Sequence, residues 1–118
     1  RNEKPYLRKK LKMNKYYFVA ASEKFLTIEE PLEEILKERR RNYKENNKEI
    51  DFWLLKKPLF LKSKEFVDLY KKIPLPQAAV ISTDKKFITF LKLRLEFVAS
   101  GEFEGPSDDI NDPLGVEK

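Results

Sequence analysis

The chain contains no cysteine and no histidine. Disulfides, thiolate nucleophiles, imidazole general bases and the common zinc and iron ligand sets are therefore excluded. Glycine is scarce, three among 118 residues, which argues against a linker or a barrel rich in tight turns. No apolar run approaches the ~18 residues that a membrane-spanning helix requires, and no signal-peptide core is evident, so the sequence reads as that of a soluble protein. A carboxylate-only magnesium or calcium site survives these exclusions, but no D-x-D-x-D-G loop is present and the acidic residues are dispersed. No cofactor is implied, and an autonomous enzyme is not expected.

What is present describes a packed domain. Nine Phe, five Tyr and one Trp, with 41% hydrophobic residues, exceed what a disordered chain carries. At this length there is room for one domain only. The net charge of +5 is localised: in residues 1–12, Arg1, Lys4, Arg8, Lys9, Lys10 and Lys12 stand against Glu3 alone, and the remainder balances. At the other end, Glu102, Glu104, Asp108, Asp109, Asp112 and Glu117 face only Lys118. Such oppositely charged ends are commonly solvated extensions. The expected division is a basic extension at 1–12, an α/β domain at 13–104 and an acidic extended tail at 105–118.

Asn14 to Ala21, NKYYFVAA, is aromatic and β-branched enough for a buried strand. Thr27 and Glu30 have the spacing of a capping box, and Pro31 is tolerable only in a first turn, so the regular part of a helix starts near Pro31. Ile28, Leu32, Ile35, Leu36, Arg39 and Tyr43 build one face of that helix. Its glutamates precede its basic residues, in the order that complements the macrodipole. Arg39-Arg40-Arg41 then reads as a solvated helix end rather than a phosphate clamp. Glu49 to Leu55 reads as a second strand, with Ile50, Phe52 and Leu54 opposite Asp51, Trp53 and Leu55. Ser63 caps a short helix to Ile73, carrying Phe66, Val67, Tyr70 and Ile73 on one side. Beyond Pro74 and Pro76, Gln77 to Ser82 reads as a fully buried third strand.

Residues 83–100 admit two readings. Alternation of Phe87, Thr89, Leu91, Leu93, Leu95 and Phe97 fits a strand, whereas N-caps at Ser82 to Asp84, a C′ residue at Gly101 and the length fit a helix. The punctuation favours the helix. Phe87, Ile88, Leu91, Leu95 and Val98 then face the sheet, leaving Phe90, Leu93 and Phe97 on a second stripe flanked by Arg94. The expected fold is α+β: a small, mostly antiparallel sheet flanked by helices in a single domain. Beyond Phe103 the chain lacks periodicity and reads as extended or mobile.

The ordered string is more specific than its composition. YYFVAASEKFLTIEEPLEEILKERRRNYKENNKEIDFW, then VISTDKKFITFLKLRLEFVASGEFEGPSD, then DPL, resembles the cyanobacterial and plastid family numbered fifty-four among the hypothetical chloroplast reading frames, colinearly from Met13 to Leu114. The resemblance implies an accessory protein of chlorophyll biosynthesis that binds and supports the aerobic Mg-protoporphyrin IX monomethyl ester cyclase, a membrane-associated diiron oxygenase. It also implies a place in the cyanobacterial cytoplasm or plastid stroma, with thylakoid contact only through that partner. Carried over residue by residue, the implied partner contacts fall on Asp51, Phe52 and Arg94, to which the stripe of Phe90, Leu93 and Phe97 adds an exposed apolar surface. An arginine beside exposed aromatics is the composition that carries much interface energy.

Two other classes compete. A tetrapyrrole carrier would need an apolar cleft lined by Trp53 and the Phe residues. A nucleic-acid binder would display Tyr16, Tyr17 or Phe18 for stacking beside the basic leader, but a neutral core offers no continuous basic groove, so no nucleic-acid partner is expected.

Overall fold

The computed structural model describes residues 13–96 and 98–117. The expected basic extension at 1–12 and the position of Phe97 lie outside the described residues. Four strands, β1 (Asn14–Ser22), β2 (Phe52–Lys56), β3 (Gln77–Ser82) and β4 (Ala99–Gly105), form one sheet in the order β2-β3-β1-β4. Every neighbouring pair is antiparallel. Among the described residues three α-helices accompany them: α1 (Leu32–Glu45), α2 (Val67–Lys72) and α3 (Lys85–Leu95). The expected α+β architecture is the one observed.

The two-residue period of the strands divides the core in two. Val19, Ala21, Phe52, Ala78 and Val80 face α1 and α3, meeting Leu32, Leu36, Ile88, Leu91 and Leu95. Tyr16, Phe18, Ala20, Ala79 and Ile81 point to the other side, where Phe60, Leu61, Ile73, Phe103 and Ile110 cover them. Both faces of β3 are thus packed, which is why QAAVIS is buried at all six positions and reads as a continuous apolar run.

Several expectations change. The helix expected over 84–100 stops at Leu95; Glu96 takes a left-handed φ of 62°, and the chain reverses into β4. Gly101 is therefore not a helix cap but a strand residue paired with Phe18. A Cβ there would stand 2.9 Å from the Phe18 ring, so the glycine lets the aromatic core close. The capping box does not form, because Phe25–Glu29 makes a π-helical turn in which the Thr27 hydroxyl donates to the Glu23 carbonyl at 2.7 Å. Ile28, placed on the inner face by spacing alone, is exposed as a result.

Ser63 is likewise no cap: its Oγ is buried without a hydrogen-bond partner. The carboxylate of Asp109 does that work instead, accepting from the backbone N–H groups of Lys64 at 3.1 Å and Glu65 at 3.2 Å. Residues 106–117 lack regular structure, apart from a bridge between Pro58 and Val116, yet they are docked rather than free. Ile110 is buried in the second core, the Leu59 N–H donates to the Gly115 carbonyl at 3.0 Å, and Lys62 pairs with Glu117.

Candidate interaction surface

α3 is positioned by its N-cap and its apolar stripe. The Asp84 carboxylate accepts from the Lys86 N–H at 3.0 Å, a cap that satisfies one otherwise orphaned donor. Phe87, Ile88, Leu91 and Leu95 are buried as the 3.6-residue period demands. The opposite side is apolar too: Phe90 is 50% exposed and Leu93 75% exposed, with the exposed Arg94 alongside. Two apolar stripes on one helix, one of them uncovered, are more than this fold uses internally.

Asp51 and Phe52 sit at the entry of β2. The Asp51 backbone carbonyl accepts from the Thr83 N–H at 3.1 Å and from the Ser82 hydroxyl at 2.8 Å, which anchors the turn. Its carboxylate accepts from the Tyr43 hydroxyl at 2.9 Å. That hydroxyl in turn accepts from Nη2 of Arg39 at 2.8 Å, and the same nitrogen reaches Asp84 at 3.0 Å. The Arg39 guanidinium lies 3.9 Å from the Phe87 ring centroid, with Tyr43 and Phe52 at 5.0 and 5.1 Å, distances at which cation–π attraction is effective. Burial, followed by the bond to Asp51, raises the Tyr43 pKa above its ordinary value, against the opposing pull of Arg39.

Phe52 is not a surface residue. It is 1% exposed, edge-on to Tyr43 and Phe87 and roofed by Arg39. Arg39 is also unlike the solvated residue expected of an arginine run. Its position on the same helical face as Leu32, Ile35 and Tyr43 was the signal, and the half-buried ion pair with Asp84 stabilises it there. A groove of about 460 Å³ between α1 and α3 links the two regions, lined by Ile35, Glu38, Arg39, Tyr43, Phe87 and Phe90. Arg94 lies elsewhere. Asp51 and Asp84 mark the start of α3 and Arg94 its last turn, about 15 Å along the axis at 1.5 Å per residue. Of the expected contact residues, Asp51 and Phe52 thus lie by one end of α3 and Arg94 by the other.

Tyr16 and Phe18 are buried, Tyr16 stacked on Phe103, and Tyr17 is half-buried against the opposite core, so of the three rings only Tyr17 is part-exposed. Phe52 and Phe87 belong to one core and Phe18, Phe60 and Phe103 to the other, and of these only Phe52 lines a groove with Trp53. Among the described residues no group of three or more acidic side chains is gathered as a metal site.

Residues 14–105 match the family model described as Ycf54 protein. A Ycf54-like protein of Synechocystis sp. is 56% identical over 102 residues, covering 86% of this chain and 77% of its own length. A chloroplastic protein of Arabidopsis thaliana, named YCF54, is 41% identical over 96 residues, covering 80% of this chain and 44% of its own. Among solved structures, a Nostoc sp. PCC 7120 protein superposes with a TM-score of 0.88 at 57% identity, covering 90% of this chain and 98% of that one. The Ycf54 protein of Synechocystis sp. PCC6803 superposes with a TM-score of 0.86 at 52% identity, covering 91% and 100%.

Proposed function

The chain belongs to the Ycf54 family, and from that premise we propose that it is a non-catalytic accessory protein of chlorophyll biosynthesis, which binds and supports the membrane-associated diiron Mg-protoporphyrin IX monomethyl ester cyclase. Its relatives are cyanobacterial, red-algal and chloroplastic, which supports a place in the cyanobacterial cytoplasm or plastid stroma. No helix among the described residues is long and apolar enough to cross a membrane, so on this reading thylakoid association comes through the partner.

The observation that carries the proposal is the uncovered stripe of α3. Phe90 and Leu93 expose apolar surface beside Arg94 on a helix whose other face already completes the core. An apolar centre with an arginine at its margin is the anatomy of a protein interface. The chain also lacks Cys and His, so the oxygen chemistry is assigned to the partner and not to these residues.

The test is reconstitution. The tagged full chain is incubated with detergent-solubilised cyclase, and co-purification and cyclase turnover are measured with and without it. Co-purification together with higher cyclase yield or activity is expected. Turnover by this chain alone overturns the accessory reading. Stoichiometric binding of Mg-protoporphyrin IX monomethyl ester in the absence of cyclase would establish the carrier instead.

A further inference from the structure

β2 is an edge strand, and the phase of its ladder is set by two bonds at its ends. The Asp51 carbonyl accepts from the Thr83 N–H, and the Lys57 N–H donates to the Gln77 carbonyl. In an antiparallel pair, residues whose backbone groups face the partner alternate with residues whose groups face away. With Trp53 opposite Ile81 and Leu55 opposite Ala79, the inward set is 51, 53, 55 and 57. The backbone N–H and C=O groups of Phe52, Leu54 and Lys56 therefore point outward, and no strand among the described residues lies on that side.

The other edge is treated differently. β4 carries Glu102 and Glu104 and runs into Gly105-Pro106, features that discourage pairing. β2 reads Phe-Trp-Leu-Leu before its single Lys56. Trp53 and Leu54 are half-buried, and Ile50 beside them is 39% exposed. A groove of about 400 Å³ runs along this edge against α1, its lining including Glu33, Leu36, Arg40, Trp53, Leu54 and Lys56. Arg40 and Lys56 are exposed and engage in no ion pair among the described residues, so they outweigh Glu33 at the rim.

We propose that the open edge of β2 accepts an extended, acid-bearing segment of the partner protein as a fifth strand. The outward backbone groups call for an extended chain, because only a strand satisfies donors and acceptors in that alternating row. The apolar groove receives its alternate side chains, and Arg40 and Lys56 select carboxylates at its margin. The inference rests on the docking reading above, and it resolves the position of Phe52: a ring sealed in the core contributes to binding through its backbone.

The experiment follows backbone amide hydrogen exchange in the full-length protein, alone and bound to solubilised cyclase, with affinities for Lys56→Pro and Lys56→Gln. Lys56 is exposed, so proline there removes an outward N–H without opening the core, whereas glutamine removes only the charge. A net hydrogen bond is worth about fivefold in affinity. Added steric disruption should make Lys56→Pro tenfold or more weaker than Lys56→Gln. The N–H groups of Phe52, Leu54 and Lys56 should gain protection on binding. If proline unfolds the protein, protection of these three amides in the wild type decides the matter alone. A complex that forms without protecting them overturns the strand and leaves the accessory reading intact. Failure to form any complex overturns both. Protection that rises with protein concentration alone, together with a dimeric mass, assigns the edge to a second copy and overturns the proposal.

Discussion

The Tyr43 hydroxyl donates to the Asp51 carboxylate across 2.9 Å, tying the last turns of α1 to the entry of β2. Because the same oxygen accepts from Arg39, and Arg39 holds Asp84, one phenol connects a helix, a strand and the cap of a second helix. Removing it leaves a carboxylate and a guanidinium each short of a partner. Tyr43→Phe should therefore retain the fold but lose about 1–3 kcal/mol, the cost of stranding a partly buried hydrogen-bonding group, as measured by urea unfolding.

The same residue sets a pH dependence. Its pKa is raised in the folded protein, first by burial and then by the bond to Asp51, so folding favours the protonated phenol. Its contribution is complete below the ordinary tyrosine value of about 10 and is lost as pH climbs through the higher folded value. Unfolding free energies of wild type and Tyr43→Phe should accordingly differ by a constant amount at neutral pH and converge in strong alkali. A gap that widens there would contradict this sign.

Phe52 and Arg94 should separate stability from binding. Phe52→Ala empties a site among Tyr43 and Phe87 and should cost about 3–5 kcal/mol. Arg94 is exposed, so Arg94→Ala should change stability by less than about 0.5 kcal/mol. Cyclase affinity should nonetheless fall ~30-fold, as for an interface arginine worth about 2 kcal/mol. Calorimetric melting beside quantitative pull-down distinguishes the two, with Lys86→Ala as control.

Gly101 faces the Phe18 ring at a separation that leaves no room for a methyl group. Gly101→Ala should cost about 1–3 kcal/mol through displacement of that ring. Near-ultraviolet circular dichroism should report the disturbed packing around Phe18, which involves Phe60, Phe66 and Phe103.

Asp109 joins the C-terminal strap to the turn at Lys64 and Glu65. Asp109→Ala should lose about 1 kcal/mol, the worth of a helix cap. It should also quicken proteolysis between residues 106 and 117; cleavage at the wild-type rate would show that buried Ile110 and the contacts of Gly115 and Glu117 hold the strap without Asp109.

Local chemistry was legible in the sequence. The apolar run of β3, the aromatic and β-branched run of β1 and the inward stripe of Phe87, Ile88, Leu91 and Leu95 follow from local composition and side-chain period, which need no knowledge of the rest of the chain. The exposed pair Phe90 and Leu93 was legible for the same reason: residues surplus to one helical face must lie on another. The tertiary structure decided everything that depends on distant partners. Spacing placed Arg39 on the inner face, but only Phe87 and Asp84 arriving from α3 make a half-buried guanidinium tolerable. Asp109 caps a turn 45 residues earlier, which no local motif encodes. β4 escaped notice because its Gly101 resembles a helix terminator until Phe18 is known to press on it. Period is a property of neighbours along the chain, whereas capping, burial of charge and strand pairing are properties of neighbours in space.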